Sequence, residues 1–227
     1  MNQVSAPDVW LANVNGVTLR SLNTHTHLSY TRVVNEVGQL TIVMPETISP
    51  DLLERDCQIS VWRKVIDPVS GTEKRYLDTE TIWLIRKWTW KLDSGGRQTT
   101  EIVAKSLNDL LRRRIIAYRY GASQARYANT PLPVDDIMKN FVLYNLGSGA
   151  TQATFGATTG RALPNFVIQP NYSLGPTTQK TISWKPLLFV LKELFEASDQ
   201  KGTPVFFDIV VNSAGQFEFR KIGRAHV

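Results

Sequence analysis

The chain has 227 residues, 42% of them hydrophobic, and a formal net charge of +6 at pH 7. This length supports one large or two small domains with a buried core, and the single cysteine, Cys57, excludes intramolecular disulfides and cysteine-based zinc sites. The longest apolar runs are too short for a transmembrane helix, and the first ten residues lack the basic and apolar regions of a secretion signal. We therefore expect synthesis in the cytosol and no membrane insertion.

Short β-branched and apolar runs alternate with turn residues in the first third of the chain, a pattern typical of antiparallel hairpins. Asn15-Gly16 is the strongest two-residue hairpin signal, and the breaker-rich segment 67–71 predicts another hairpin. Pro50 and Asp51 start a short helix of one or two turns. The runs that predict strands are residues 9–14, 17–22, 29–36, 38–44, 58–66 and 75 onward.

The stretch 82–118 is central to the prediction, because its hydrophobic period changes from that of a strand to that of a helix. Mostly large apolar side chains occupy the even positions of a half-buried strand: Ile82, Leu84, Arg86, Trp88, Trp90 and Leu92. Turn-forming residues at 93–96 and the β-branched run 99–103 complete a hairpin. A helix then begins with Ser106 as N-cap and Asp109 in its first turn, and packs one stripe onto the hairpin. That stripe contains Leu107, Leu110, Leu111, Ile115 and Tyr118.

The second half of the chain predicts two further helices and several short strands. Residues 131–133 introduce a helix with Asp135 and Asp136 in its first turn and Gly147 at the C′ position. The segment 147–160 is rich in small residues and predicts a mobile loop or an insertion. The helix predicted at 186–196 is buried through Leu187, Leu188, Leu191, Leu194 and Phe195. Strands are predicted at 166–169, 181–184, 205–211 and 217–220.

Residues 222–227 form an unusual end, because the chain stops directly after a strand-like run without a turn or cap. These residues can be encoded by the start of a widely used sequencing-library adapter, whose next codon in that frame is a stop. We therefore expect that residues 222–227 come from adapter read-through and that the natural protein continues beyond Arg220. Sequencing the source DNA with a different library chemistry tests this expectation, and an unchanged end would contradict it.

Together these elements predict an α+β fold, mainly β, in which an antiparallel barrel or sandwich carries docked helices. The start of a second β-unit follows near the C-terminus. We predict a β-rich domain at residues 1–105, a helical and loop insertion at 106–182, and a truncated α+β unit with a helix and a hairpin at 183–221.

Two pairs of side chains have the composition of a metal or catalytic site, and for both we favour a structural interpretation. His25 and His27 lie on one face of an extended segment, but no motif supplies a third metal ligand. Asp135 and Asp136 could form a carboxylate pair, yet adjacent helical residues point about 100° apart and helix starts routinely collect acids. We therefore predict no metal, no cofactor and no catalytic residue.

Arginines and tryptophans supply the remaining candidates. Arg112, Arg113 and Arg114 could contact phosphates, but we favour a role at a helix C-terminus, with a protein contact as the next interpretation. Lys and Arg are otherwise scattered, so nucleic-acid binding is not expected. The set that could stack on a carbohydrate is Trp62, Trp83, Trp88 and Trp90. We favour core or interface positions for these aromatics, and the chain lacks the common enzyme motifs.

Seven blocks, in a fixed order, extend the interpretation beyond composition and spacing: HLSYTRVVNEVGQLTIVMP, CQISVWRKVIDPVSG, LDTETIWLIRKWTW, LLRRRIIAYRYGASQA, PVDDIMKNFV, SWKPLLFVLKELFEAS and VFFDIVVNSAGQFEFR. This series resembles the Gp-thirty-seven-like tail protein family of siphoviruses over nearly the whole chain to Arg220. The order of the blocks is the specific part, especially RRRIIAY followed by a small-residue segment and the Asp-Asp helix start.

The resemblance implies a structural virion protein of a long-tailed bacteriophage, made in the host cytoplasm and placed at or near the tail tip. Such a tail hub or baseplate component connects the tail tube to the adhesion device. Hubs of this kind are similar to tail-tube-like β-barrels with inserted helical elements and usually assemble as trimers. The implied partners are further copies of the chain, the distal tail protein, the tape measure protein and an adhesin. The family supplies no active site to transfer.

Two other functions stay open at this point. A host receptor or cell-wall carbohydrate-binding module would use exposed tryptophans and would change its intrinsic fluorescence when glycans are added. The scaffold part of a tail-associated hydrolase would have its catalytic domain in a missing C-terminal part, and the uninterrupted gene would reveal that domain.

Overall fold

The structure is a computed structural model that describes residues 6–66, 71–92, 94–117, 127–128, 131–151, 160–182 and 184–222. Several predictions concern positions outside these residues: the breakers at 67–70, the turn residue Asp93, Tyr118, segment 121–126, the middle of the 147–160 loop and residues 223–227. No helix in the described part of the chain is long and apolar enough to cross a membrane.

The chain divides into two compact units. The first unit consists of Met1–Val33 and Gly38–Leu107, and the second consists of Val34–Val37 and Asn108–Val227. The division predicted from sequence, at residues 105 and 182, stays a prediction.

Eight antiparallel strands form the sheet of the first unit. They are β1 (Asp8–Ala12), β2 (Thr18–Ser21), β3 (His27–Thr31), β4 (Gln39–Met44), β5 (Gln58–Ile66), β6 (Glu73–Leu77), β7 (Trp83–Leu92) and β8 (Gln98–Ser106). The order is β2-β1-β5-β7-β8-β4-β3, and β6 pairs with β5 beside this path. Within the described residues the end strands β2 and β3 do not pair with each other, so the sheet is open and sandwich-like. The predicted mainly β fold class is confirmed.

Strand alternation decides which side chains enter the core of this unit. In β4, Leu40, Ile42 and Met44 are fully buried, while the residues between them are partly exposed. The largest fully buried side chain is Trp83, whose ring lies 5.8 Å from that of Tyr30. Each large apolar side chain that is fully buried stabilises the fold by about 1.5–3 kcal/mol.

A β-bulge in β7 changes which face of the strand enters the core. The register with β8 shifts between Ile85 and Lys87, which leaves Arg86 as an extra residue. Trp83 and Ile85 belong to the core before the bulge, and Trp88 packs against the same core after it. The prediction that the even positions 82–92 form one face is therefore wrong, because the bulge shifts the alternation by one residue.

Three helices and seven strands are described in the second unit. The helices are α1 (Asp109–Arg112), α2 (Val134–Asn145) and α3 (Leu187–Asp199). The strands are β9 (Tyr127–Ala128), β10 (Leu132–Pro133), β11 (Phe166–Ile168), β12 (Thr177–Thr178), β13 (Thr181–Ile182), β14 (Phe206–Val211) and β15 (Phe217–Ile222). β15 lies between β11, to which it is parallel, and β14, to which it is antiparallel. The two remaining ladders pair β9 with β13 and β10 with β12.

The helices α2 and α3 confirm their predictions, whereas the helix predicted to begin at Ser106 is much shorter than expected. Ser106 is the last residue of β8, and α1 contains only four residues. The chain leaves the helix because its backbone bonds to a distant segment. The Leu187 N–H donates to the Arg114 carbonyl at 2.7 Å, and the Ile116 N–H donates to that of Lys185 at 2.9 Å. These non-local hydrogen bonds replace those that a longer helix would make.

Buried asparagines satisfy the backbone of β14 in the second unit. The Asn35 side chain, at a residue with φ of 59°, accepts the Phe207 N–H at 2.8 Å. Asn108 accepts the Ile209 N–H at 3.0 Å and donates to the Glu36 carbonyl at 2.9 Å. Two backbone N–H groups of this strand are thus paired with side chains, as buried polar groups require.

Candidate functional site

The two histidines bond locally and do not meet a third ligand. His25 Nδ1 lies 2.8 Å from the Leu22 carbonyl oxygen, and His27 Nε2 lies 3.3 Å from the Ser29 hydroxyl. Across the residues that the structure describes, there is no group of three or more His, Cys, Asp or Glu side chains able to hold a metal. The prediction that this pair has no metal-binding role stays a prediction.

The four tryptophans considered for carbohydrate stacking occupy different environments. Trp83 is completely buried in the core of the first unit. Trp88 and Trp90 contact each other with ring centroids 5.0 Å apart, and Trp90 is 46% exposed. Trp62 lies under Arg75, whose guanidinium carbon is 4.7 Å from the ring centroid. Because Trp83 is inside the core, the four rings do not form a single exposed platform.

A half-buried polar cluster in the first unit joins side chains from β3, from β5 and from the residue that follows β6. Arg63 donates to Asp78 at 2.7 Å and to the Tyr30 hydroxyl at 2.7 Å, and that hydroxyl donates to Asp78. Burial raises the pKa of Tyr30. Burial also opposes ionisation of Asp78, but hydrogen bonds from Tyr30 and Arg63 outweigh it and lower the pKa of this carboxyl. Thr79 and Glu80 have positive φ angles, a strained backbone for residues other than glycine.

Lys139 forms a buried ion pair in the second unit. Its ammonium and the carboxylate of Asp135 are 2.9 Å apart, and both side chains are only 2% exposed. The same ammonium donates to the Pro170 carbonyl at 2.6 Å and lies 4.7 Å from the Tyr172 ring centroid. Asp135 in turn accepts the Tyr172 N–H at 3.0 Å. The pair therefore attaches the segment around residue 171 to α2.

Asp136 makes a second attachment between α2 and the same segment. Its carboxylate accepts the Ser173 N–H at 3.2 Å and the Ser173 hydroxyl at 3.1 Å. Neither Asp135 nor Asp136 is the N-cap of α2, a position that Pro133 occupies. Both carboxylates lie in the first helical turn, as predicted, but their oxygens bind a distant loop. This arrangement is a structural clamp.

A pocket of about 280 Å³ beside α1 combines arginines with leucines. Its lining consists of Leu110, Arg113, Arg114, Leu146 and Leu163. Asp109, which is completely buried, accepts from Arg112 at 2.7 Å and lies 3.7 Å from Arg113. Burial, together with the charges of Arg161 and Arg113, lowers the pKa of the Arg114 guanidinium. Two guanidinium groups, those of Arg113 and Arg114, thus line a partly apolar pocket, and the charge of Arg161 acts on Arg114.

The arginine run has more than one role in this arrangement. Arg112 binds Asp109 within α1, in line with the structural interpretation favoured from sequence. Arg113 and Arg114 line the pocket, and the protein-contact interpretation stays a prediction. This pocket is the candidate functional site, because it joins charge, concavity and apolar surface.

Sequence reasoning did not identify Lys139 or Arg161. Lys139 lies four residues after Asp135, a spacing that places both on one helical face and could have indicated an ion pair. Arg161 donates to the Ile115 carbonyl at 2.9 Å. No local pattern points to Arg161, since its neighbours in space are far away along the chain.

Comparisons with known proteins include a distant structural likeness. No model of a protein family matches the chain, and no curated protein matches it in sequence. Among solved structures, the chain is similar to the tail protein from Neisseria meningitidis MC58, with a TM-score of 0.49 and 10% sequence identity. The match covers 98% of this chain and 53% of that one, so the chain spans about half the length of the solved structure. A likeness this distant assigns neither a family nor a function.

Proposed function

We propose that the chain is a structural protein of a long-tailed bacteriophage tail, a hub or baseplate component that connects the tail tube to the adhesion device. The observation that carries the proposal is the ordered series of seven sequence blocks from residue 27 to residue 220, which resembles the siphovirus tail protein family. The role is mechanical and does not involve catalysis. Its place is the virion tail, with the distal tail protein, the tape measure protein and an adhesin as neighbours.

Self-assembly, most simply as a trimer, is part of this proposal. The open sheet of the first unit has two end strands, β2 and β3, and such edges can pair with another copy. The free end of the β7–β8 hairpin also exposes large apolar side chains, Trp90 at 46% and Leu92 at 68%. Exposed apolar groups of this size support an interaction surface on this hairpin.

Light scattering on the purified chain across a concentration series tests the proposal. We expect a native mass of a trimer or a hexamer that persists on dilution, and ring-shaped particles by electron microscopy. Replacing Trp90 and Leu92 together by serine should weaken assembly, while the matched variant Phe189→Ser, half-exposed on α3 in the second unit, should leave it intact. A strictly monomeric species at every concentration would contradict a self-assembling hub.

The alternative function as a glycan-binding module has its own test. Five of the six tryptophans lie in the first unit, so titration with cell-wall glycan fragments should change the intrinsic fluorescence of a glycan binder. Under the hub proposal we expect a flat titration. A saturable change that disappears in Trp90→Ala would favour the glycan-binding module instead.

A further inference from the structure

The pocket beside α1 lies in a basic stretch of the chain. Residues 110–192 contain ten lysines and arginines but only two acidic side chains, which gives this stretch a net charge of +8 against +6 for the whole chain. Those two acidic residues are Asp135 and Asp136, which form the clamp by binding Lys139 and Ser173. Neither of these two carboxylates is therefore available to the pocket, and the carboxylate that contacts Arg113 is that of Asp109, one residue before the stretch.

The two arginines that line the pocket differ in whether a carboxylate neutralises their charge. Asp109, the first residue of α1, pairs with Arg112 and Arg113. Arg114 has no carboxylate partner among the described residues, and the charges that act on it are those of Arg161 and Arg113. Like charges that lie close together repel each other, so an anion placed between them would be bound favourably.

The lining defines the kind of anion that fits. Of the five lining residues that belong to the described part of the chain, three are leucines and two are arginines. A guanidinium offers a planar pair of N–H donors that matches a carboxylate, and leucines favour an aliphatic stem. Inorganic phosphate has no apolar part and would leave the leucines without a partner. A carboxylate on a short hydrocarbon chain satisfies both parts of the pocket.

The surroundings favour a protein as the source of that carboxylate. Ile115 and Trp184 are 48% and 56% exposed, and they lie on backbone segments that bond to each other next to Arg114. Exposed tryptophan and isoleucine beside arginines have the composition of a protein interface. We propose that the pocket of Arg113 and Arg114 binds the carboxylate of an aspartate or glutamate side chain on an acidic segment of a protein partner. This inference does not depend on the tail function.

Binding of short blocked peptides, followed by NMR, tests the inference. The probes are leucine-glutamate-leucine, leucine-glutamine-leucine and inorganic phosphate, and the signals are the arginine side-chain N–H groups and the backbone amides of residues 110–116. We expect saturable binding of the glutamate peptide. The glutamine peptide should bind at least about tenfold more weakly, because it loses the charged hydrogen bond. Inorganic phosphate should also bind at least about tenfold more weakly, because it loses the apolar contact.

A pair of arginine variants localises the binding. Arg114→Gln should weaken the glutamate peptide about tenfold or more, whereas Arg112→Gln, outside the pocket lining, should stay within about twofold. Arg114→Lys keeps the charge but lacks the planar pair of donors, so its affinity for the glutamate peptide should lie between those of the other two variants. This variant preserves the test if Arg114→Gln does not fold. Equal affinity for phosphate, equal affinity in Arg114→Gln, or no saturation with the glutamate peptide would each overturn the inference.

Discussion

In the first unit, alternate positions of β4, β5 and β8 bury apolar side chains around Trp83, whereas in the second unit α2 buries Asp135, Asp136 and Lys139 at comparable depth. The first arrangement is non-directional, and many side chains share it. The second depends on a few hydrogen bonds with defined geometry. Buried polar groups that are fully paired fix one position of a segment, while an apolar core tolerates small shifts.

The difference follows from what each unit has to hold in place. A sheet satisfies its own backbone, so its faces need only apolar packing. The segment around residues 170–175 contains no helix or strand, and its backbone groups need partners from elsewhere. The side chains of Asp135, Asp136 and Lys139 supply these partners. Polar burial in the second unit thus compensates for the lack of regular structure in that loop.

The largest effect is expected in the apolar core. Trp83→Ala should lower the free energy of unfolding by about 3–5 kcal/mol, since it removes the largest fully buried side chain. Urea unfolding followed by circular dichroism measures this loss. The control Trp90→Ala removes the same side chain from a half-exposed position and should cost about 1 kcal/mol or less. Equal losses in the two variants would show that Trp83 does not organise the core.

The next effect concerns the buried ion pair. Lys139→Met should cost about 3 kcal/mol, because the carboxylate of Asp135 remains buried without its cation. The helical circular dichroism signal in urea measures it. Adding Asp135→Leu to this variant should recover part of the loss, since no buried charge remains. A double variant that is less stable than Lys139→Met would contradict the clamp as described.

A smaller effect is expected at a neutral buried side chain of the second unit. Asn108→Ala should cost about 1–2 kcal/mol, because the Glu36 carbonyl loses its side-chain donor and the Ile209 N–H loses one of its two acceptors and keeps the Asp208 carboxylate. Asn171→Ala, at an exposed position of the same unit, provides the control and should stay within about 0.5 kcal/mol. Hydrogen exchange of the Ile209 amide reports the local effect. Unchanged protection of that amide in Asn108→Ala would refute this assignment.

The smallest effect is a pH dependence in the first unit. The pKa of Asp78 is lowered in the folded state, so its contribution to stability is present above the unfolded value of about 3.9 and is lost as pH falls through the folded value. We expect Asp78→Asn to reduce the loss of unfolding free energy at acid pH. The change should be about 1 kcal/mol or less, because the cluster is partly exposed. An unaltered curve in Asp78→Asn would exclude this contribution.

Local patterns account for most of the first unit. The hairpin at Asn15-Gly16 and the alternation in β4 identify strands, since turn chemistry and burial act over a few residues. The helices α2 and α3 follow from apolar stripes that begin directly after prolines. The strand predicted at residues 29–36 is wrong in its bounds, because β3 is His27–Thr31 and Val34–Val37 belong to the second unit.

The parts that sequence reasoning missed depend on contacts between distant residues. The helix expected beyond Arg112 ends because its backbone bonds to residues 185–187. The pocket of Arg113 and Arg114 becomes visible only when Leu146 and Leu163 are brought beside them. Lys139 reaches the Pro170 carbonyl across an interval of 31 residues. No window of neighbouring residues contains that information.

The bulge in β7 has a consequence for how the hairpin could have changed during evolution. Arg86 is the inserted residue, and its guanidinium binds Asp56 instead of entering the apolar core. Without it, Ile85 and Trp88 would follow each other at the normal spacing of one strand face. Loss of this one residue would therefore leave Ile85 and Trp88 on the same face of the strand and remove only the ion pair with Asp56.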